Sequence, residues 1–289
     1  MNKNNNYQII QINSNLAVVS NYKETHICKI KGIFKYSKIN KKPVVGDYVK
    51  IQKNDDEYLL VDILERHNHI IRPNIANIDT VILVQSIVEP DFNFHLIMKF
   101  LAYYETFVDN VILVFTKIDI ASQAELDKVN IYIETFKHDK YKVFLLPNEQ
   151  NIQQLEKELI DKTFCFAGNS GVGKSTLINK LIPNLNLKTQ EISKFLNRGK
   201  HTTTTSRIIQ NENYKLIDTP GFSSIDINLI TKHELAKSFH DFRAKSLNCK
   251  FSNCLHQNEK NCAIKNAVEK NEISVLRYEQ YLQLLKEMK

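Results

Sequence analysis

The sequence contains no tryptophan, and its seven glycines and six prolines are too few and too scattered for collagen-like or proline-rich fibrous material. No apolar run approaches the ~18 residues of a membrane helix. The first residues, MNKNNNYQIIQIN, lack the ~7 to 15 residue apolar core of a secretory signal. The expectation is a soluble cytoplasmic chain with no membrane partner. No internal repeat or long low-complexity segment is present, which excludes a solenoid. Cysteine is scarce and odd in number, five, with three crowded between Cys249 and Cys262. That pattern suits a reducing compartment and metal binding better than a disulfide framework. Cys28 and Cys165 lie in strand-like runs and read as small buried apolar side chains.

What is present points to more than one domain. A chain of 289 residues with 43% apolar content exceeds one average domain and can fill packed cores. The net charge of +7 is unevenly spread. Residues 1–70 carry 11 Lys/Arg against 7 Asp/Glu, residues 71–222 carry 17 of each, and residues 223–289 carry 11 against 8. Two basic ends around a neutral centre suggest flanking modules that meet a polyanion, or Lys-rich solvated surfaces.

Residues 7–64 read as about five short strands separated by NSN, NKKPVVG and KNDDE. In VVGDYVKI, Val45, Asp47, Val49 and Ile51 alternate with Gly46, Tyr48 and Lys50, a period-2 strand pattern. A small barrel follows, with an OB-fold leading and an SH3-like barrel as the alternative. From Ile78 onward, apolar strands alternate with helical stretches, which argues for a mostly parallel sheet covered on both faces. Ligands bind such sheets at the carboxyl ends of the strands.

The strongest motif lies between the strand TFCFA and the helical TLINKLI. Gly168-Asn169-Ser170-Gly171-Val172-Gly173-Lys174-Ser175 matches GxxxxGK[ST], with Thr176 opening the helix. The glycines let successive N–H groups face phosphate oxygens, and the helix adds its positive end. Lys174 would reach the β- and γ-phosphates, and the Ser175 hydroxyl would coordinate magnesium. Asp218-Thr219-Pro220-Gly221 follows the strand YKLID, with Asp218 lying 43 positions after Ser175. There a carboxylate can hold the magnesium shell and Gly221 can sense the γ-phosphate. Between them runs Arg198-Gly199-Lys200-His201-Thr202-Thr203-Thr204-Thr205, from which Thr203 is the expected magnesium ligand.

The tetrapeptide Thr116-Lys117-Ile118-Asp119 ends the apolar run VILVF and has the form of a guanine-reading loop. Lys117 would pack against the base, and Asp119 would accept two hydrogen bonds that adenine cannot donate. Thr116 stands where an Asn is usual, so weaker support of the neighbouring loop is expected. The order is base reader, phosphate loop, threonine segment, DTPG, which is a circular permutation. Twenty-seven residues separate Gly221 from Cys249, which is followed by Cys254, His256 and Cys262. Four such ligands fit one closed, structural zinc site. The helix ISVLRYEQYLQLLKEMK is expected to pack back by its apolar face.

With those features assembled, the chain resembles the bacterial ribosome small subunit-dependent GTPase A family nearly end to end, with RPNIANID at 72–79 and GKHTTT at 199–204 as further matches. The resemblance implies an α/β, circularly permuted P-loop GTPase domain over 71–224. An N-terminal OB-fold β-barrel that binds RNA would occupy 1–70, and a C-terminal helical zinc-binding domain 225–289. It implies a monomer that uses GTP and magnesium, binds the 30S ribosomal subunit and its 16S rRNA late in assembly, and leaves on hydrolysis. It also implies His201 as the catalytic residue. Independently, Phe222 occupies the position where a Ras-like enzyme carries its water-positioning Gln, so another group must orient water. Pro147 and Asn148, in YKVFLLPNEQN, stand where the family usually shows a Ser-Ala loop. Two other classes compete: a nucleotide-gated RNA-binding scaffold with negligible turnover, and an ATP-dependent nucleic-acid enzyme, against which Asp119 argues.

Overall fold

The turn-formers of the first sixty residues cut the chain into five strands in the computed structural model: β1 (Tyr7–Asn13), β2 (Leu16–Ser20), β3 (Thr25–Ile30), β4 (Tyr48–Asn54) and β5 (Glu57–Ile63). The structure describes residues 6–21, 23–32, 34, 42–182, 206–210, 213–219 and 225–289. Ser14 and Asp55, at positive φ in the two-residue connections after β1 and β4, make tight hairpins of the adjoining strands. The strands run in the order β1-β2-β3-β5-β4, with β3 and β5 parallel, and β4 returns to β1 through Tyr7↔Val49 and Gln8↔Tyr48. That closure and the parallel pairing select the OB-fold over the SH3-like alternative. Inward positions two apart, Ala17 with Val19 and Cys28 with Ile30, build its core with Ile9, Val49 and Leu60.

The alternation in VVGDYVKI overstates β4, which starts only at Tyr48. Gly46 has φ +97°, and a Cβ there would lie 2.0 Å from the Ala76 carbonyl oxygen, so the chain turns where the pattern suggests a strand. Asp47 is fully buried at this turn, accepting from the Val44 amide at 2.8 Å and from Arg66 Nε and Nη2 at 2.6 and 2.8 Å. The short hairpin β6 (His69–Ile70) and β7 (Ile75–Ala76) follows. Its RPNIANID sequence has a structural reason. The buried Asn77 side chain donates to Gly46 O at 2.9 Å and accepts from the His67 amide at 3.0 Å.

The chain divides into two compact units. The first, Met1–Ile78 with Leu159–Cys165 and Ile182–Gly221, joins the barrel to three further strands. These are β11 (Thr163–Ala167, up to Cys165), β12 (Arg207–Gln210) and β13 (Lys215–Asp218). β13 runs parallel to β11 and antiparallel to β12, and β12 meets β1 at Gln11↔Arg207. Lys215, largely buried, donates to Gln8 Oε1 at 2.6 Å.

The second unit comprises Asp79–Glu158, Phe166–Leu181 and Phe222–Lys289. Its parallel strands are β8 (Thr80–Ser86), β9 (Val111–Thr116) and β10 (Lys142–Leu145), with β9 central. Every residue of β8 and β9 is buried, as their unbroken apolar runs require of strands covered on both faces. The intervening helices are α1 (Phe94–Tyr104), α2 (Gln123–His138) and α3 (Glu149–Leu159). Asn93 caps α1, and a Ser122/Glu125 capping box starts α2. α4 (Lys174–Leu181) follows β11.

The C-terminal part of this unit holds α5 (Lys232–Ser238), α6 (His240–Ser246), α7 (Ala263–Glu269) and α8 (Val275–Glu287). As expected, α8 packs back, burying Tyr281, Leu284 and Leu285 and lying against α1. Among the described residues no helix is long and apolar enough to cross a membrane.

Candidate functional site

The loop after β11 needs its glycines. Gly168, Gly171 and Gly173 have φ of +131°, +80° and +94°. A Cβ on Gly168 would sit 2.1 Å from the Val84 carbonyl oxygen at the end of β8. The loop therefore lies directly on the backbone of the parallel sheet, and only glycine allows that approach. α4 starts at Lys174, so the unpaired N–H groups of its first turn open toward the loop. Lys174 Nζ donates to Gly168 O and Asn169 O, both at 2.6 Å, and partial burial lowers its pKa from the ordinary lysine value. Ser175 and Thr176 are exposed in that first turn.

Thr116 ends β9, and its buried hydroxyl donates to Val172 O, inside the glycine loop, at 2.6 Å. The same side chain stands 3.6 Å from where a Cβ on Gly173 would be. The tetrapeptide at 116–119 and the loop at 168–175 are therefore stitched together, although some fifty residues of chain separate them. Lys117, at φ +62°, donates from Nζ to the Glu89 carbonyl. Asp119 is exposed.

These elements surround a pocket of about 370 Å³. Its walls are Thr116, Lys117 and Asp119 at the end of β9 and beyond, Leu146, Pro147 and Ile152 after β10, Gly173 of the glycine loop, and Thr176, Leu177 and Lys180 on one face of α4. The volume falls within the ~300 to 1,000 Å³ of small-molecule sites. Pro147 stands in the segment that the sequence aligns with the family's Ser-Ala loop, whereas Leu146, Ile152 and Lys180 do not belong to any motif in the sequence. Leu146 and Ile152 could have been found from the rule that ligands sit beyond the carboxyl ends of parallel strands. Asn148 caps α3, accepting from the Asn151 amide at 3.1 Å, while Asn151 Nδ2 donates to Leu145 O at 2.8 Å. The segment at 146–151 is therefore an ordered pocket wall followed by a helix start, without the Ser-Ala pair.

Asp218 closes β13 in the first unit, opposite Arg207 on β12, whose Nε lies 3.1 Å from Asp218 Oδ2. His201, Thr203, Gly221 and Phe222 lie outside the described residues. The glycines that leave no room for a Cβ, the half-buried lysine and the Ser175 hydroxyl at a helix start fit a polyphosphate with its magnesium.

Cys249, Cys254, His256 and Cys262 present ligand atoms that all lie within 4.8 Å of one another. Cys249 Sγ is 3.7 Å from His256 Nδ1 and 4.0 Å from Cys262 Sγ, and His256 Nδ1 is 3.3 Å from Cys262 Sγ. A tetrahedral zinc with bonds of ~2.0 to 2.3 Å requires edges of roughly 3.5 to 3.8 Å, so the donor set fits. His256 Nε2 lies 3.1 Å from Ala236 O and donates to it. That fixes the tautomer whose Nδ1 lone pair faces the three sulfurs. Burial pushes the Cys254 thiol up to about 12, which favours the neutral thiol, and only a cation in this cluster would make it a thiolate.

A family model described as RsgA GTPase matches residues 63–228. The small ribosomal subunit biogenesis GTPase RsgA of Ureaplasma urealyticum is 49% identical over 259 residues, covering 89% of this chain and 86% of its own. Two solved structures are similar. The crystal structure of YloQ, a circularly permuted GTPase, has 34% identity and a TM-score of 0.76, covering 98% of this chain and 94% of that one. The structure of YjeQ from Thermotoga maritima has 31% identity and a TM-score of 0.80, covering 98% of each.

Proposed function

The chain belongs to the RsgA GTPase family, GTP-hydrolysing enzymes of small ribosomal subunit biogenesis with a circularly permuted fold, and on that premise we propose the part that each of its residues plays. The observation that carries the reading is the Thr116 hydroxyl on Val172 O, which joins the base-reading and phosphate-binding segments around one pocket. Asp119 accepts the two guanine N–H groups at its rim, and Lys117 packs against the base. The amides of the 168–175 loop cradle the β-phosphate, and Lys174 leaves its two carbonyl partners for the β- and γ-phosphate oxygens. Ser175, Thr203 and Asp218 hold magnesium, which when bound neutralises charge on the transferring phosphoryl group. His201 orients the attacking water, since Phe222 has no polar atom for the task. The residues at Cys249, Cys254, His256 and Cys262 hold one structural zinc.

We further propose three functional modules: a basic barrel over 1–70 that meets 16S rRNA, the GTPase domain over 71–224, and the zinc module over 225–289. The enzyme acts as a cytoplasmic monomer on the 30S subunit, which stimulates hydrolysis, and hydrolysis releases it. Without that partner, turnover is slow, roughly 10⁻⁴ to 10⁻² per second, as for other self-contained GTPases. Phosphate release by the purified protein, with and without small subunits, decides the matter. Stimulation of tenfold or more is expected, and loss of most of it in His201→Ala with GDP binding kept. No stimulation across several salt concentrations would end the ribosomal assignment. The rival reading, a nucleotide-gated scaffold that scarcely turns over, draws on Phe222. Single-turnover hydrolysis on the subunit separates the two.

A further inference from the structure

The residues at positions 173, 176, 177 and 180 repeat at helical spacing, so one face of α4 forms a wall of the nucleotide pocket. The wall starts at the phosphate loop and ends, two turns along, with Lys180. Lys180 is exposed and lines the same pocket as Asp119, Leu146 and Pro147. Lys174 and Lys117, the other cations of the pocket region among the described residues, are both held by carbonyl oxygens. The Lys180 ammonium has no ion-pair or hydrogen-bond partner among the described residues. Among the described residues, the pocket thus presents one carboxylate and one uncommitted ammonium beside a mostly apolar slot.

That pairing matches the edge of one base. Guanine carries its donors, N1–H and the N2 amino group, on one side and its acceptors, O6 and N7, on the other. Adenine replaces the O6 acceptor with an amino donor, which an ammonium group cannot accept. Lys and Arg are the usual readers of the O6/N7 pair wherever proteins contact guanine edges. The local chemistry adds a reason for a side chain to do this here. Pro147, in the wall after β10, has no N–H, and the Leu146 amide is already spent on Phe115 O at 2.8 Å. Those two positions therefore offer no backbone donor to O6.

We propose that Lys180 is a specificity-determining residue of this GTPase, its ammonium donating to guanine O6 and N7 while Asp119 accepts from N1–H and the amino group. The inference rests on the guanine-nucleotide reading of the pocket and adds a second, cationic reader to it. Lys180 contacts the base and has no part in the hydrolytic step.

Calorimetric titration of the full-length protein with GDP, with 6-thio-GDP, whose sulfur accepts hydrogen bonds poorly, and with pyrophosphate tests this. Lys180→Met should weaken GDP binding about tenfold. It should leave pyrophosphate unchanged, and it should erase most of the preference that the wild type shows for GDP over 6-thio-GDP. Lys180→Arg should restore that preference. In the wild type, equal affinity for GDP and 6-thio-GDP would overturn the contact without need of any variant. Unchanged GDP affinity in Lys180→Met would overturn it too, as would a proportionate loss for pyrophosphate, which would put the ammonium on the phosphates. Failure of the wild type to bind GDP would instead sink the guanine-nucleotide reading itself.

Discussion

At the scale of single residues, Thr116 shows how a departure from a familiar motif can keep its mechanical role. The usual Asn offers more hydrogen bonds than a hydroxyl, and weaker support of the loop is the natural expectation. In the structure the hydroxyl makes one short, buried bond to Val172 O, across the join between the two loops. Thr116→Val keeps the shape and removes the donor, leaving a buried carbonyl unpaired at a cost of about 1 to 3 kcal/mol. We expect GDP affinity to fall about tenfold and thermal stability to drop, while Thr116→Asn retains both. Thermal melts and GDP titration of the two variants check this, and an unaltered Thr116→Val protein would deny the stitch any weight.

What was legible at this scale is what chemistry forces into the chain locally. The glycines at 168, 171 and 173 announce positive φ, and three cysteines with a histidine at short spacing announce a cluster. Lys180 was not legible, because a lone lysine at the end of a helical pattern reads as solvated surface until the pocket beside it is seen.

At the scale of elements, the least legible feature is Arg277. Within ISVLRYEQYLQLLKEMK it reads as an exposed helix position, yet it is fully buried. Its Nη1 donates to Asp139 and Asp241, both at 2.7 Å, and its Nη2 donates to the Tyr141 hydroxyl at 2.9 Å. The rings of Tyr141 and Phe239 lie 5.0 and 5.2 Å from the guanidinium carbon. One side chain of α8 therefore ties the residue after α2, the residue before β10 and the first turn of α6.

No local pattern encodes such a network, because its polar members come from three separate places in the chain and each alone is an ordinary residue. Buried pairs are costly to break from one side. Arg277→Met should lower stability by about 3 to 5 kcal/mol, and Arg277→Lys should not rescue it, since an ammonium cannot serve both carboxylates and the hydroxyl as the planar fork does. Combining Arg277→Met with Asp139→Asn and Asp241→Asn should recover part of the loss in urea unfolding. If the triple variant is no better than the single one, the charges are not the reason.

At the scale of the whole molecule, each compact unit is assembled from three separate stretches of sequence, and the chain passes between them repeatedly. Strand and helix types were readable from periodicity, and the permuted order from the motifs. The pairing of β1 with β12, residues 11 and 207, was not, because a single cross-strand contact leaves no trace in either local pattern. With Asp218 proposed as a magnesium ligand, the β13-β12-β1 pairing predicts that the barrel responds to the nucleotide. Hydrogen exchange in peptides spanning Tyr7–Asn13 should differ at least twofold between the GDP-bound protein and the protein bound to a non-hydrolysable GTP analogue. Identical exchange with both nucleotides verifiably bound would rule out communication by this route.

Arg207 is the meeting point. It faces Gln11 of the barrel on one side and Asp218 on the other, and in sequence it stands two positions after the threonine run. With the roles proposed for these residues, Asp218 would leave the Arg207 guanidinium if its carboxylate held magnesium. Loading GTP would then uncover a positive charge beside the barrel's first strand, where a phosphate of rRNA could take the place that Asp218 left, and the enzyme's grip would be adjusted by exchanging one anion for another.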